Sequence, residues 1–596
     1  MLFSSTLPSG VLAIARELAG RTPNASSEEQ AGLTLLFLGV LTGESLGHTQ
    51  LSFGPGFKGG LLENVLNNCL SEDATITERQ EWAQAARSLL TEHRFPEWIG
   101  GPQDQTPLIL GASSLCSQRS YFQERRLAEI LRERLSKSEL VVRSAPIPPL
   151  SRPPQSLHLS LEQELAVRKA VHLPLTLISG GPGTGKTSIV RAILLEAEAR
   201  GIPIDRIALS APTGKAANRL SESISGWELE KPIGSPTGKP LSALTLHRLL
   251  GMSKSGRSFR FHGGNLIPFE LVVIDEASMI DLGLMDHLLQ ALPPSCKLVL
   301  LGDMDQLPAV ESGAVFRDLF PDSEETQTPC PAYAVQLVHS FRMRDSNADG
   351  RDILCLARWI RSDTPETTSS PPLESVLKPR TSVGHLQKHG AEFLDSSLPG
   401  VRLNEFLDWW FFSQMALSRD HLLSLRSPLF LSSEGFSEES QRTLRTLFSV
   451  TNRFRLLAAT RQGPTGTEAL NQRLHLLWGR HGSLSSQRHF LPGEPVMVLR
   501  NDYEQEVFNG DQGLVISVKE TGSFDSHLVV VFPRGSGFLT CPIEALGPHL
   551  EHAYALTVHK SQGSEYDGIG LILPMHDHLL LTRELLYTAI TRARQS

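Results

Sequence analysis

Apolar residues along this chain follow three rhythms, and each predicts a different kind of element. From Leu157 to Phe341, short near-continuous apolar runs alternate with segments of helical period. The runs Leu175–Ser179, Ile207–Ser210, Leu271–Asp275 and Leu298–Leu301 lack an alternating polar face, which predicts strands of a parallel sheet covered by helices on both sides. Upstream, Tyr121–Leu135 carries Leu127, Ile130, Leu131 and Leu135 at helical spacing, with Arg125, Arg126, Arg132 and Glu133 elsewhere. That predicts a helix with one buried face in a mostly helical N-terminal region; its other face is either solvated or a partner surface. Between Leu491 and Leu546 the signal changes to short strands at Val496–Leu499, Gly513–Val518, Leu528–Phe532 and Phe538–Cys541, with turns at Asn509-Gly510-Asp511 and Arg534-Gly535-Ser536-Gly537. This predicts a small β-barrel inserted into a larger unit that resumes at Glu551.

Two other stretches set boundaries. Ala145–Ser156 holds five prolines between Pro146 and Pro154, so no helix crosses it. The segment from Asp345 to Ser449 has the least pattern; its cluster Trp409-Trp410-Phe411-Phe412 reads as helical core rather than as a base-stacking platform. No repeat of 20–50 residues is present.

Composition narrows the functional classes. A chain of 596 residues accommodates about three to five domains. Its 56 Lys+Arg against 64 Asp+Glu leave a net charge of −8, which argues against coating nucleic acid by bulk positive charge while leaving room for local basic grooves. The six cysteines are scattered and form no C-x-x-C pair, so neither a disulfide framework nor a zinc ribbon is expected. The apolar stretch Leu33–Leu41 is too short for a bilayer, and MLFSSTLPSG lacks the basic flank of a secretory signal. The expectation is a cytoplasmic multidomain protein with no membrane partner.

The chemistry begins at Gly180-Gly181-Pro182-Gly183-Thr184-Gly185-Lys186-Thr187, which satisfies G-x-x-x-x-G-K-[ST] between a predicted strand and a predicted helix. Such glycines let backbone N–H groups curl around phosphate oxygens, and the helix behind adds its positive end. Lys186 is expected on the β/γ-phosphates, the Thr187 hydroxyl on Mg²⁺, and Ser188 in the same cradle. After the strand at 271–275, Asp275 is placed to hold Mg²⁺ through water and Glu276 to orient or deprotonate the attacking water. ATP and Mg²⁺ are the expected cofactors.

A P-loop with an Asp-Glu pair does not separate a switch from a transporter or a helicase; further segments do. They are SAPTGKAANRL (Ser210–Leu220), TLHRLLG (Thr245–Gly251), GDMDQLPAV (Gly302–Val310), SFRM (Ser340–Met343), ALTVHKSQGSEYD (Ala555–Asp567) and LLYTAITRAR (Leu585–Arg594). The series resembles superfamily 1 DNA helicases, and more narrowly the RecD family, the alpha subunits of bacterial RecBCD (exodeoxyribonuclease V). Arg455–Leu474 is similar to that family's stretch leading into Leu-Asn, and ESLGHTQLSF with PLILGASSLCSQRSYFQERRLAEIL resembles its RecC-docking segment.

The resemblance implies an α/β fold of two RecA-like P-loop motor domains with parallel sheets, a helical N-terminal domain and the inserted barrel. The boundaries would be 1–145 for the N-terminal domain, 157–341 for the first motor, 342–488 with 551–596 for the second, and 489–550 for the barrel. It implies that Gln163 reads the adenine edge, Gln306 senses the γ-phosphate with Asp303 fixing its loop, and Arg342 and Arg592 reach the triphosphate from the second motor. An arginine across a cleft stabilises the transferring phosphoryl charge and makes hydrolysis depend on closure.

DNA contacts would come from Pro212, Thr213, Lys215, Thr245, His247, Thr557, His559, Lys560, Ser561 and Gln562, whose hydroxyls, amides and cations suit phosphate and sugar rather than bases. Parts of the 558–563 loop would also couple to ATP. The inserted barrel would either contact the single strand or serve only as a packing module. Family members continue beyond the last motif with a further strand and helix, so the expectation is that either the sequence is clipped at Ser596 or the second motor ends early.

The function implied is an ATP-dependent 5′→3′ helicase acting on single- and double-stranded DNA ends with RecB-like and RecC-like subunits, cleavage residing in a partner. The alternative is a stand-alone RecD-like helicase, although the helix-hairpin-helix region usual there is not evident. A nuclease in its own right lacks a compact Asp/Glu-x-Lys cluster, and a dead motor is at odds with intact motifs.

Overall fold

The computed structural model of the protein describes residues 9–22, 24–54, 60–71, 75–144, 146–151, 158–225, 241–253, 256, 258–309, 312–320, 331–341, 348–361, 373–395, 402–415, 425, 427–432, 435–482, 489–502, 504–522, 525–535, 537–575, 578 and 580–596. Helices α1 (Ser9–Gly20), α2 (Ser27–Ser45), α3 (Gly60–Cys69) and α4 (Ile76–Thr91) pack around one apolar core with a four-stranded sheet of β1 (Leu51–Ser52), β2 (Ile99–Gly100), β3 (Leu108–Leu110) and β4 (Ser114–Ser117). Reciprocal capping boxes, Ser26 with Glu29 and Thr75 with Glu78, start α2 and α4 by satisfying N–H groups that the helices cannot pair themselves. Leu33 to Val40 are all buried inside α2, which explains the apolar run there. Among the described residues no helix is long and apolar enough to cross a membrane.

Helix α5 (Gln118–Ser144) runs longer than its sequence pattern suggested, and its buried face turns away from the N-terminal core. Leu127 and Leu131 join the core of the central sheet instead. Arg126 pairs with the buried carboxylate of Asp286 at 2.5 Å, and the buried Arg134 donates to the carbonyls of Cys296 and Pro293, each at 2.9 Å. By packing, α5 therefore belongs to the unit that follows it, so the N-terminal region expected for 1–145 is neither purely helical nor separate at its end. The described part of the proline linker is pinned as well: Arg168 donates to the Pro148 carbonyl, and Ser151 to Glu196.

The central sheet is wholly parallel and six-stranded. Its strands are β5 (Leu175–Gly180), β6 (Ile207–Ala211), β7 (Leu244–Thr245), β8 (Leu271–Ile274), β9 (Lys297–Gly302) and β10 (Ala334–Leu337), in the order β10-β5-β9-β8-β6-β7. Both faces are dry: Leu175, Leu177, Val272 and Ile274 point into one core, while Ile178, Leu209, Val273 and Val299 point into the other. This is the two-sided burial that the uninterrupted apolar runs predicted. Three helices frame the nucleotide end: α6 (Leu161–His172), α7 (Lys186–Ala199) and α8 (Gly214–Ser225).

Beyond a parallel pair, β11 (Leu377–Arg380) with β12 (Ala391–Leu394), the chain builds a second lobe and an accessory sheet. The accessory sheet holds β13 (Leu429–Ser432), β14 (Gly435–Phe436), β16 (Pro495–Val498), β17 (Gln512–Glu520), β18 (Ser526–Arg534), β19 (Gly537–Pro542) and β20 (Leu550–His552). The second lobe's parallel sheet has β15 (Phe454–Ala458) between β21 (Ala555–Thr557) and β22 (Gly568–Ile572). The insertion thus differs from the expected barrel in two ways. It borrows β13 and β14 from 429–436, and among the described residues no pairing joins its end strands β14, β19 and β20 into a closed barrel.

Its long strand alternates between two cores. Leu514, Ile516 and Val518 face the second lobe, while Val515 faces a core of its own sheet with Val530 and Phe532. The aromatic cluster is core, as predicted: Trp410 and Phe411 are buried on the helix Leu403–Trp410 and the turn after it, and Phe412 is exposed.

Arg134 is the test of where α5 belongs. Arg134→Met keeps the stem but strips two carbonyls of a charged donor, so it should destabilise the central sheet by about 1.5–3 kcal/mol. The check is a lowered urea midpoint for that lobe, with the N-terminal helices unaffected.

Candidate active site

The turn between β5 and α7 follows a path that suits glycine. Gly183 and Gly185 sit at φ of 75° and 81°, and a Cβ on Gly180 would lie 2.6 Å from Thr184 Oγ1. Pro182 lies between them and its carbonyl accepts from Ser340 at 3.2 Å. The buried Thr184 hydroxyl donates to the Gly181 carbonyl at 2.9 Å. Lys186 lies over the loop, donating to the carbonyls of Gly180 and, at 3.3 Å, of Gly181. Thr187 and Ser188 open α7, where free N–H groups and the helix dipole favour an anion.

Gln163 was expected at the adenine edge, and the structure gives it another task. It is 3% exposed, its amide N donates to the Thr184 carbonyl at 2.9 Å, and its amide O accepts from the Ser160 N–H as part of a capping box. A Cβ on Gly185 would come within 2.5 Å of that amide nitrogen. With one amide hydrogen and the amide oxygen engaged by protein, Gln163 braces the loop from beneath.

Carboxylates meet this turn from the neighbouring strands. Asp275 follows β8; burial first, then the adjacent Glu276, pushes its pKa up to about 6, while Lys186 and Arg219 pull the other way. Glu276 adopts φ 54° and ψ 39°, a left-handed conformation that costs a non-glycine residue about 1–3 kcal/mol and is kept where surroundings enforce it. After β9, the buried Gln306 donates to Asp303 at 3.0 Å, and its buried amide oxygen meets no hydrogen-bond partner among the described residues; the same holds for the Ser278 hydroxyl. Hydroxyl and carboxylate oxygens suit Mg²⁺, and an unpaired buried acceptor beside an anion cradle suits a water aimed at a phosphate. The residues therefore fit a nucleoside triphosphate with Mg²⁺, held through Thr187 and Asp275.

The second lobe reaches this site through one segment. Leu307 inserts into the second lobe's core with Leu457, Leu556, Leu585 and Ala589. Its N–H donates to Thr588 Oγ1 at 2.7 Å and its carbonyl accepts from Gln562 at 2.8 Å. On the same helix, Arg583–Ile590, the Tyr587 hydroxyl donates to Asp303 at 3.2 Å and lies 3.2 Å from where a Cβ on Gly181 would stand. Arg361 adds an ion pair to Asp305 at 3.0 Å. Sequence reasoning quoted the segment that holds Tyr587 and Thr588 but singled out only Arg592 in it. Their spacing on a helix facing a polar loop was the available signal.

Arg592 is 4% exposed and donates to the carbonyls of Thr588 and Ser564, at 3.0 and 3.3 Å. It braces the second lobe, about one turn beyond the residues that touch the P-loop. Reaching a triphosphate requires these bonds to be exchanged. Arg342 lies outside the described residues; the residue before it, Phe341, donates its N–H to the Gly183 carbonyl at 2.8 Å.

The expected strand-contacting residues divide into two groups. Because β6 and β7 pair with Ala211 opposite Thr245, the segments Pro212-Thr213 and Thr245-His247 leave the sheet side by side. Thr213, Thr245 and Thr557 cap local turns, accepting from Ala216, Arg248 and Lys560 at 3.2–3.3 Å. Thr557, His559 and Lys560 are half-buried; burial lowers the His559 pKa, and Lys560 pairs with Glu551.

The second group is turned inward. Ser561 is fully buried and donates to Val558, Gln562 holds Leu307, and Lys215 donates across the lobes to Ser564 beside an Arg219 bond to the Gly563 carbonyl. Gln562 and Lys215 join the lobes, while Ser561 closes its own turn; an inward amide, ammonium or hydroxyl with a fixed partner has little surface to offer a strand. The accessory sheet reaches the same place: a Cβ on Gly214 would meet Phe508 Cβ at 2.9 Å.

Comparison with known proteins agrees with this layout. Residues 163–312 match the AAA domain family and residues 552–596 the UvrD-like helicase C-terminal domain. Site and matches together define a P-loop ATPase of the superfamily 1 helicase class.

The chain is 36% identical over 442 residues to the RecBCD enzyme subunit RecD of Mycobacterium tuberculosis, covering 73% of this chain and 68% of that protein. It is 33% identical over 444 residues to the corresponding subunit of Mycolicibacterium smegmatis, covering 73% and 69%. The ATP-dependent RecD2 DNA helicase of Deinococcus radiodurans is 29% identical over 441 residues, covering 73% and 48%. The chain belongs to the RecD family of DNA helicases.

Thr588→Val is nearly isosteric and leaves the Leu307 N–H unpaired inside, so it should cost about 1–3 kcal/mol at the lobe junction. Thermal unfolding of the purified chain should separate into two transitions where the parent gives one. An unchanged single transition is the opposite result.

Proposed function

We propose that this chain is the ATP-driven 5′→3′ DNA motor of a heterotrimer with RecB-like and RecC-like subunits, processing double-strand DNA ends, with strand cleavage in a partner. The observation that carries the reading is the Leu307 junction, where a loop that follows the acidic strands of the ATP site is held by the lobe bearing the strand-contacting segment 557–560. Two RecA-like lobes joined in this way translate phosphate chemistry into relative movement.

In this mechanism the P-loop N–H groups and Lys186 bind the β/γ-phosphates, and Glu276, fixed by its strained backbone, takes a proton from the attacking water. Gln306, oriented by Asp303, accepts a hydrogen bond from that water through its free oxygen. Bound Mg²⁺ supplies charge neutralisation across the phosphates. Arg342 and Arg592 complete the charge stabilisation when the lobes close, which ties hydrolysis to closure. Tyr587 and Asp303 report the state of the P-loop to the C-terminal helix. Pro212, Thr213, Thr245, His247, Thr557, His559 and Lys560 hold the sugar-phosphate chain without reading bases, as a motor that must pass every sequence requires. Unwinding works against stacking of about 1.4 kcal/mol per step, which nucleotide hydrolysis offsets.

The experiment uses tailed duplexes of both polarities with the purified chain, alone and with RecB-like and RecC-like subunits. Unwinding of 5′-tailed substrate is expected, and Lys186→Gln should abolish ATPase and unwinding while single-strand affinity stays within about twofold. Full activity and no association when partners are added favours a stand-alone helicase; unwinding retained by the variant contradicts the assigned site.

A further inference from the structure

Away from the nucleotide, at the root of the accessory sheet, two imidazoles from different elements converge on one fully buried carboxylate. His475, on the helix Thr467–Gly482, places Nδ1 2.7 Å from Glu494 Oε1. His552, at the end of β20, places Nε2 3.1 Å from Glu494 Oε2. One ligand atom from each of the three lies within 4.8 Å of the others. The carboxylate is oriented from behind by the Tyr554 hydroxyl at 3.0 Å and the Leu491 N–H at 2.7 Å. Among the described residues no lysine or arginine pairs with Glu494; the charged partners its carboxylate meets are the two imidazoles.

We propose that His475, Glu494 and His552 form a binding site for a divalent transition metal of the zinc class. A two-histidine, one-carboxylate set is a recognised donor combination for Zn²⁺, with a further position left to water. Bonds of about 2.0–2.2 Å set donors roughly 3.3–3.5 Å apart, so the contacts of 2.7 Å to Oε1 and 3.1 Å to Oε2 would open, and any ligand-atom separation near the 4.8 Å bound would close, as the metal enters. Hydrogen bonds to the carboxylate from Tyr554 and Leu491 are the outer support that such ligands commonly have.

The site's place gives it a task. Val496 pairs with His552 across β16 and β20, and Asn471, one turn before His475, donates to the His552 and Ala555 carbonyls. A metal here fastens the accessory sheet to the second lobe's helix and to the start of β21.

The test uses the full chain freed of metal, titrated with Co²⁺ followed by visible absorption and with Zn²⁺ followed by thermal unfolding. One Co²⁺ per chain with the intense absorption of a tetrahedral site is expected, competed by Zn²⁺, with Zn²⁺ raising the unfolding temperature. His475→Asn and His552→Gln keep an amide donor for Glu494 and should lose stoichiometric Co²⁺ while retaining Mg²⁺-dependent ATPase. Tyr554→Phe should weaken Co²⁺ binding about 10–100-fold. Absence of saturable Co²⁺ or Zn²⁺ binding in the parent chain, or binding unchanged in both histidine variants, means a hydrogen-bonded clamp only and overturns the proposal.

Discussion

A single peptide unit carries the connection between chemistry and movement in this protein. Leu307 comes from the lobe that holds the P-loop, yet its side chain lies in the core of the other lobe and its N–H and C=O are both satisfied there by side chains. A buried peptide cannot shed these partners without replacing them, because each unpaired group costs about 1–3 kcal/mol. Any change in the position of Gln306, one residue earlier, or Asp303, four residues earlier, must therefore be passed to the helix Arg583–Ile590 or paid for as broken bonds. Tyr587 closes the circuit by touching both Asp303 and the P-loop.

Around that junction the site is assembled from groups held under constraint. Gly183 and Gly185 of the P-loop take left-handed conformations, Glu276 takes one without glycine's freedom, and Gln163 props the loop from below. Each element is fixed by the sheet behind it, whose strands are buried on both faces. The same rigidity separates the strand-contacting segments into two classes. Thr213, Thr245, Thr557 and Lys560 remain at the ends of strands, while Lys215 and Gln562 hold the lobes together and Ser561 is buried in its own turn.

How much of this was legible in the amino-acid order depends on the range of the interaction. The P-loop, the acidic strand end and the four central strands were readable because their signals are local: glycine spacing and uninterrupted apolar runs. The hydrogen bonds that hold Gln163 and Arg592 were not, because an amide or guanidinium is placed by the carbonyls it meets, and those belong to residues brought near by folding. The accessory sheet was misjudged for a related reason. Its strands β13 and β14 are only four and two residues long, and β13 joins β17 with Leu429 opposite Val518, a distant pairing that no local alternation announces. Helix α5 had the correct apolar stripe, but nothing in its spacing tells which core receives it.

Hydrogen exchange at the Leu307 amide tests the central claim most directly. If that N–H is held by Thr588 inside a shared core, it should exchange as slowly as the amides of β9. Exchange at the rate of an exposed loop, with β9 still protected, would contradict the account.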